Sequence, residues 1–324
     1  MKSAVTLLTR VRLLRVLVLC AFSSAVAATT VATPEVRGNL IITGSDTLAA
    51  LVSDWADAFV DVEPGVTIEI QAMGSASAPP ALTAGSANLG SMSRQMTRSE
   101  LDSFFQQRGW LPTAVPIAVD TIAIIVHPDN PLESITLDDL DSIYSANHAC
   151  SGKAATHWAD LGVAPALGAL PVERYGRTSI SGTYGFFRER ALCRGDFAAG
   201  VNALPGSAAV VSAVSQIPTA IGYTSMGFIT DQVKVLPIVS GRDTSRVQNY
   251  DADGSVYPLS RTLWFYLAFD PQQPPPRLEC AFLQFIASTR GRELLRDGGF
   301  EPVDSLRSKV DGALTLAEIC NDDA

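Results

Sequence analysis

The chain has 324 residues, of which 47% are hydrophobic and 18% are charged, and its formal net charge is −9. This length fills one large or two ordinary domains, and the composition excludes both a small disulfide scaffold and a disordered chain. The excess of acidic residues is the opposite of a basic nucleic-acid-binding surface, so we expect no nucleic-acid partner.

Residues 1–27 have the pattern of an export signal. A basic start precedes the apolar run at 16–22, and Ala25-Val26-Ala27 supplies the small residues that a signal peptidase accepts. The apolar run is shorter than the roughly 20 residues of a membrane-spanning helix, which disfavours a membrane anchor. Lipid attachment at Cys20 is the other alternative, and Leu19 disfavours it because a small residue is expected there. We therefore expect an exported protein, periplasmic or secreted.

Four cysteines follow the signal, at positions 150, 193, 280 and 320. An even number in an exported chain indicates disulfide bonds, although three pairings are formally possible and four buried thiols are the alternative. The histidines, His127, His148 and His157, do not have metal-ligand spacing, and no C-x-x-C occurs. We expect no metal and no cofactor.

Strands and helices alternate along the first part of the chain, after a leader at 28–37. A strand is predicted at 40–42 and a helix from Leu48 onward; a second strand is predicted at 66–70, and Pro79-Pro80 begin a second helix. Alternation of this kind predicts an α/β fold with mainly parallel sheets.

The later elements are predicted in the same way. Strands are expected at 121–126, 220–223, 233–239 and 263–269. Helices are expected at 135–146, where Thr136 provides the cap, from Tyr184 onward, and at 278–295.

Three turns place small residues and hydroxyls immediately before a helix, at 45–47, 75–77 and 181–183. A helix start offers unpaired N–H groups and the positive end of a dipole, and a serine or threonine there adds a hydroxyl donor. Such turns can bind an anion even though none of their own groups carries a full charge. Each of them is also an ordinary helix cap, so only their convergence on one point would make a binding site.

A series of motifs resembles the phosphate-binding protein of bacterial phosphate ABC transporters, in family order from about residue 38 onward. The matching stretches are ITGSDT (42–47), GSAS (74–77), LGSMSR (89–94), AVDTIA (118–123), GRTSISGT (176–183), AIGY (220–223) and YPLSR (257–261). The resemblance implies the two-lobed type II periplasmic binding-protein fold, an α/β fold with the ligand cleft between the lobes. Lobe 1 would comprise 38–118 and 258–324, and lobe 2 would comprise 119–257.

The resemblance also implies the ligand contacts. Ser45 with Thr47, Ser75, and Ser93 with Arg94 match the three turns of the first lobe. The second lobe would contribute Arg177, Ser181, Gly182 and Thr183, with Arg177 as the charged donor. With these lobes we favour the pairs Cys150–Cys193 and Cys280–Cys320, because each pair then lies within one lobe.

Two departures from the family pattern affect the site. Ser179 and Ile180 replace an acid and a glycine of the family motif, so Arg177 is either freer or held by another carboxylate. Some members have, at the third turn, an aspartate that accepts the proton of hydrogen phosphate and thereby rejects sulfate. Here Asp46 and Asp120 are the candidate acceptors, and we favour Asp120 as the one near the cleft.

The function expected from the resemblance is capture of inorganic phosphate for a membrane ABC importer, by a monomer whose lobes close on a hinge. A receptor or sensor for another tetrahedral oxyanion keeps the same fold. A hydrolase of phosphate esters is disfavoured, because no nucleophile elbow, P-loop or metal cluster is present in the sequence.

Overall fold

A computed structural model describes residues 36–239, 257–270, 272–273, 276–303 and 320. The predicted signal at 1–27 lies outside the described residues, as do parts of both predicted lobes. Within the described residues, no helix combines the length and apolar character needed to cross a bilayer.

The first part of the chain alternates strands with helices, as predicted. Its elements are β1 (Gly38–Gly44), α1 (Ala49–Val62), β2 (Val66–Gln71), α2 (Ala78–Ala84), β3 (Leu89–Met92) and α3 (Arg98–Arg108). Strand β1 pairs in parallel with both β2 and β3. The prediction missed β3 and α3: β3 has only four residues, and α3 is too polar for a clear apolar stripe.

The second part contains the remaining elements. They are β4 (Thr113–Val126), α4 (Leu137–Tyr144), α5 (Pro165–Gly168), β5 (Glu173–Arg177), α6 (Gly182–Ala191), β6 (Asn202–Leu204), α7 (Ser207–Gln216), β7 (Ala220–Ser225), β8 (Lys234–Leu236), β9 (Ser260–Leu267), α8 (Arg277–Ala287) and α9 (Thr289–Asp297). The described strands form one path, β2-β1-β3-β9-β4-β7-β5-β6, with β8 paired to β4.

Strands β4 and β9 connect the two halves of this sheet. They pair antiparallel from Thr113 opposite Leu267 to Thr121 opposite Ser260, with a bulge between Pro116 and Ala118. The sheet is therefore mixed rather than mainly parallel, since β4 also pairs antiparallel with β7 and β8. The expected strand at 121–126 is the end of a much longer one.

Two principal hydrophobic cores lie on either side of this crossing. One contains Trp55, Phe265 and Phe282, and the other contains Tyr144, Phe187 and Tyr223, of which Phe187 and Tyr223 are stacked with ring centroids 3.9 Å apart. The first core includes β4 residues up to Ala118 and the second begins at Ile122. The molecule is thus two-lobed, while the exact lobe limits given above stay a prediction.

The helix predicted at 278–295 is two helices, α8 and α9, so that prediction was wrong. The backbone at Ser288 is extended, and its hydroxyl accepts a hydrogen bond from the Gly291 amide, which caps α9. The apolar periodicity continues across the break and hides it. By contrast, Thr136 caps α4 through a capping box with Asp139, as predicted.

Two other boundaries were overestimated. The described strand β8 covers only 234–236 of the predicted 233–239, and β9 ends at Leu267 rather than at 269. The pairing of β8 with β4 is limited to three residues, so the strand is shorter than its apolar run.

The four cysteines that follow the predicted signal form two disulfides in the structure, Cys150–Cys193 and Cys280–Cys320. Their Cα atoms are 5.8 Å and 5.5 Å apart. The first bond ties the loop after α4 to the end of α6, a helix whose first residues form part of the candidate site described below.

We expect the Cys150→Ser/Cys193→Ser double variant to lose about 2–4 kcal/mol of unfolding free energy, because the bond closes a loop with a sequence separation of 43. Urea unfolding under non-reducing conditions would measure this loss. An unchanged midpoint in the double variant would contradict a stabilising role for this bond.

Candidate functional site

Three separate turns meet at the first residues of α6. Ser181 is the N-cap of this helix, and its hydroxyl accepts a hydrogen bond from the Thr183 amide at 3.1 Å. Turns from the other lobe bring further hydroxyls to the same point. We call six buried residues the hydroxyl cluster. Thr47, Ser75, Ser93, Ser181 and Thr183 are at the start of α6, and Ser45 lies two residues before Thr47 in the same turn.

One side of the cluster joins the two lobes through threonines and an arginine. The Thr47 and Thr183 hydroxyl oxygens are 3.2 Å apart. Arg261 donates from Nη2 to Thr183 Oγ1 at 2.9 Å and to Thr47 Oγ1 at 3.4 Å. A guanidinium on the crossing strand β9 thus contacts a hydroxyl from each lobe.

The other side of the cluster is a serine pair packed against a glycine. Ser75 and Ser93 have hydroxyl oxygens 3.1 Å apart, and the Ser93 amide donates to Ser75 Oγ. A Cβ atom built on Gly182 would overlap both of these oxygens. Only glycine allows the start of α6 to approach the serines this closely.

Two buried donors in this region have no hydrogen-bond partner in the described part of the chain, namely Ser45 Oγ and Arg261 Nη1. A buried polar group without a partner costs about 1–3 kcal/mol. Two such groups beside a cluster of hydroxyls and a helix N-terminus provide donors that an anion can satisfy.

Arg261 is held in place by a buried carboxylate. Asp120 Oδ2 accepts from Arg261 Nε at 2.9 Å and from Nη2 at 2.8 Å, while Asp120 Oδ1 accepts from the Ser225 hydroxyl at 2.5 Å. Burial raises the pKa of Asp120 above the usual carboxyl range, and the positive charge of Arg261 acts in the opposite direction. Burial likewise lowers the pKa of Arg261, and the charge of Asp120 opposes this shift.

Arg177 was expected to be the charged donor, and the structure gives its guanidinium other partners. Nη2 donates to Asp46 Oδ1 at 2.5 Å and to the Pro205 carbonyl, and Nη1 donates to the Ser207 hydroxyl. The family motif has an acid that this chain lacks, and the sequence left open whether Arg177 is freer or is held by another carboxylate. The structure shows that Asp46 holds it. Because Asp46 and Arg177 belong to opposite lobes, the pair bridges the cleft.

Arg94 does not join the hydroxyl cluster. Its two terminal nitrogens form a bidentate pair with Glu100, both at 2.8 Å, and Nη1 also donates to the Gln95 carbonyl. This placement corrects the expectation drawn from the motif. The bidentate pair with Glu100, the capping-box residue at the start of α3, holds the Arg94 guanidinium away from the hydroxyls.

Arg261 is the site residue that the sequence reasoning missed, although it belongs to a quoted motif. The available signal was a single charged side chain at the start of an otherwise apolar strand, followed by Leu263, Trp264 and Phe265. A charge in such a strand must find a buried partner, and here it finds Asp120.

The arrangement as a whole can hold a tetrahedral anion but offers little for catalysis. Its groups are hydroxyls, backbone amides and two arginines that are each paired with a carboxylate. No group of His, Cys, Asp and Glu among the described residues is arranged to hold a metal ion.

Comparisons with known proteins identify the family of this chain. A family model described as a PBP superfamily domain matches residues 29–290. The phosphate-binding protein PstS of Pseudomonas aeruginosa is 44% identical over 290 residues, covering 87% of this chain and 90% of that protein. The PstS of Staphylococcus saprophyticus is 27% identical, covering 82% and 79% of the two chains.

A solved structure shares the fold. It is a putative phosphate ABC transporter substrate-binding protein from Clostridium perfringens with bound phosphate, with a TM-score of 0.68 and 24% identity, covering 82% of this chain and all of that one. The class that fold and site define is the two-lobed solute-binding protein. Within that class, the chain belongs to the family of phosphate-binding proteins of bacterial phosphate ABC transporters.

We expect Gly182→Ala to weaken anion binding about tenfold or more, because the added methyl displaces Ser75 and Ser93 from the start of α6. Calorimetric titration with phosphate would measure the loss, and circular dichroism would show that the fold is retained. Gly185→Ala is the matched control, since its Cβ meets only the Arg94 side chain, with Cδ at 3.5 Å. Equal losses in both variants would contradict the proposed contact.

Proposed function

We propose that this chain is an exported receptor that captures inorganic phosphate between its lobes and delivers it to a membrane ABC importer. The observation that carries the proposal is the pair of buried donors without a described partner, Ser45 Oγ and Arg261 Nη1, beside six buried hydroxyl residues. The names of the relatives point to the same ligand. Members of this family are binding proteins and not enzymes.

Phosphate matches the cluster in shape and charge. A tetrahedral anion accepts hydrogen bonds in several directions, and the hydroxyls reach the start of α6 from three turns. The two arginines are each neutralised by a carboxylate, so the ligand charge is balanced chiefly by oriented neutral dipoles. Such dipoles act strongly at contact distance, whereas the protein's overall charge of −9 is screened by salt beyond about 8–10 Å.

Arg261 takes the role that the motif assigned to Arg177. Its guanidinium is fixed by Asp120 through two donor nitrogens, which leaves Nη1 to bind a ligand oxygen. Arg177 instead serves as an interlobe contact with Asp46, whose position next to Thr47 places this contact at the edge of the site.

Asp46 is the better candidate for the acceptor of the ligand proton, although the sequence favoured Asp120. Both oxygens of Asp120 already accept hydrogen bonds, from Ser225 and Arg261. Asp46 uses Oδ1 for Arg177, and no described donor contacts Oδ2. An acceptor of this kind favours a protonated anion such as hydrogen phosphate and disfavours sulfate, which has no proton to donate.

Export and transport complete the proposal. The basic and apolar pattern at 1–27 supports export to the periplasm, and the two disulfides are consistent with an oxidising compartment. We further propose a monomer that binds membrane permease components and no nucleic acid.

We expect Arg261→Lys to weaken phosphate binding about tenfold or more. The planar guanidinium can contact Asp120 and the ligand at the same time, whereas the compact ammonium of lysine cannot. Ser45→Ala, which leaves the ion pair untouched, is expected to weaken binding as well. Calorimetry would measure both affinities. The exposed Ser212 of α7 provides the control Ser212→Ala, and affinities equal to the control in both site variants would refute the site.

We expect Asp46→Asn to reduce the preference for phosphate over sulfate, since the amide can donate to a fully deprotonated oxygen. Asp120→Asn is the comparison: it should weaken both ligands by disturbing Arg261 without changing their ratio. Titrations of each variant with phosphate and with sulfate would give the ratio. If Asp120→Asn changes the ratio of phosphate to sulfate affinity and Asp46→Asn does not, then Asp120 is the acceptor of the ligand proton.

A further inference from the structure

A polar cavity lies between the lobes, on the side of α3 and α6. Its volume is about 950 Å³, and one carboxylate, Glu189, occurs among the described residues that line it. We call it the arginine groove, after the six arginines of its lining, which are Arg94, Arg98, Arg188, Arg190, Arg194 and Arg261. Five of the six arginines are paired with a carboxylate, so the groove presents many guanidinium donors with a small excess of positive charge.

Carboxylates orient most of these arginines from outside the groove. Glu100 pairs with Arg94 at 2.8 Å, Asp102 pairs with Arg98 at 2.9 Å, and neither acid is a lining residue. Asp196 pairs in the same way with Arg188, at 2.9 Å, whereas Arg194 pairs at 3.1 Å with Glu189, which is itself a lining residue. A paired guanidinium has five N–H donors in total, so donors remain for a ligand in the groove.

Arg190 differs from the others because no described carboxylate pairs with it. Its guanidinium lies over the Phe186 ring, 5.7 Å from the centroid, and the guanidinium of Arg261 lies at the same distance from this ring. Phe186 therefore connects the groove to the wall of the hydroxyl cluster. Arg261 contacts the cluster on one side through Thr183 and lines the groove on the other.

The charge and size of the groove define a ligand class. Guanidinium forks bind phosphoryl oxygens in bidentate fashion, and arginines on both lobes suit a ligand with several phosphoryl groups in a row. The overall negative charge of the protein disfavours a long polyanion such as nucleic acid, whereas a short one inside the groove is within contact range of the arginines. We propose that the arginine groove binds a short inorganic oligophosphate, separately from the hydroxyl cluster.

The test uses the full mature chain loaded with excess inorganic phosphate, which occupies the hydroxyl cluster if the proposed function holds. Tripolyphosphate is then titrated in by calorimetry in buffer without divalent cations. One equivalent binds, and the Arg98→Gln/Arg190→Gln double variant binds it about tenfold or more weakly. Both arginines are exposed, so their replacement leaves folding and inorganic phosphate binding intact.

Two controls distinguish binding in the groove from general attraction of a polyanion to exposed arginines. Arg290→Gln removes an exposed arginine of α9 and leaves tripolyphosphate binding unchanged. Citrate, a polyanion without phosphoryl groups, binds more weakly than tripolyphosphate.

The proposal is overturned if tripolyphosphate does not bind, if it binds only by displacing inorganic phosphate, or if the double variant binds it as the wild type does. Failure of inorganic phosphate to bind in a separate titration would refute the proposed function, while the comparison of wild type and double variant would still test the groove.

Discussion

Strands β4 and β9 pass side by side between the lobes, and they carry Asp120 and Arg261 at directly paired positions in the antiparallel register. The ion pair between these side chains is buried on both sides. Removing one partner of such a pair leaves an uncompensated charge and costs about 3–5 kcal/mol, so the two residues constrain each other strongly. The orientation of the Arg261 guanidinium, and with it one wall of the hydroxyl cluster, depends on this pairing.

The start of α6 depends on the same constraint. Thr183 contacts both Thr47 and Arg261, and the neighbouring Gly182 packs against Ser75 and Ser93. A helix N-terminus always has unpaired amides, but here it is buried against hydroxyls from the opposite lobe rather than facing water. A local feature of one helix thereby becomes part of a site that exists only when the lobes meet.

Charge is balanced locally in this site. Asp120 neutralises Arg261, and Asp46 neutralises Arg177 across the cleft. The surrounding hydroxyls can therefore bind an anion without a large excess of positive charge, which would attract any anion regardless of shape. The arginines of the arginine groove are also mostly paired with carboxylates, and Arg190 is the one without such a pair among the described residues.

Local pattern was sufficient for the α/β class, for helices α1, α2 and α4, for the helix caps at Thr136 and Ser181, and for the hydroxyl turns that face the site. It did not identify α3, α7, β5 or β6, and it recognised only the end of β4. The features that it identified depend on residues close together in the chain, which is why periodicity and capping preferences identify them. The resemblance to a family added the two lobes and the cleft between them. It also placed Ser45, Thr47, Ser75 and Ser93 in the same neighbourhood as Thr183.

Only the tertiary structure decided which charged groups meet. Asp46 and Arg177 are 131 residues apart in the chain, and Asp120 and Arg261 are 141 apart. Arg94 and Arg261 are both arginines of a matching motif, yet one pairs with Glu100 outside the cluster and the other enters it. The sequence determines that a buried arginine needs a partner, because an unpaired charge is too costly to bury, but the packing of distant strands selects the partner.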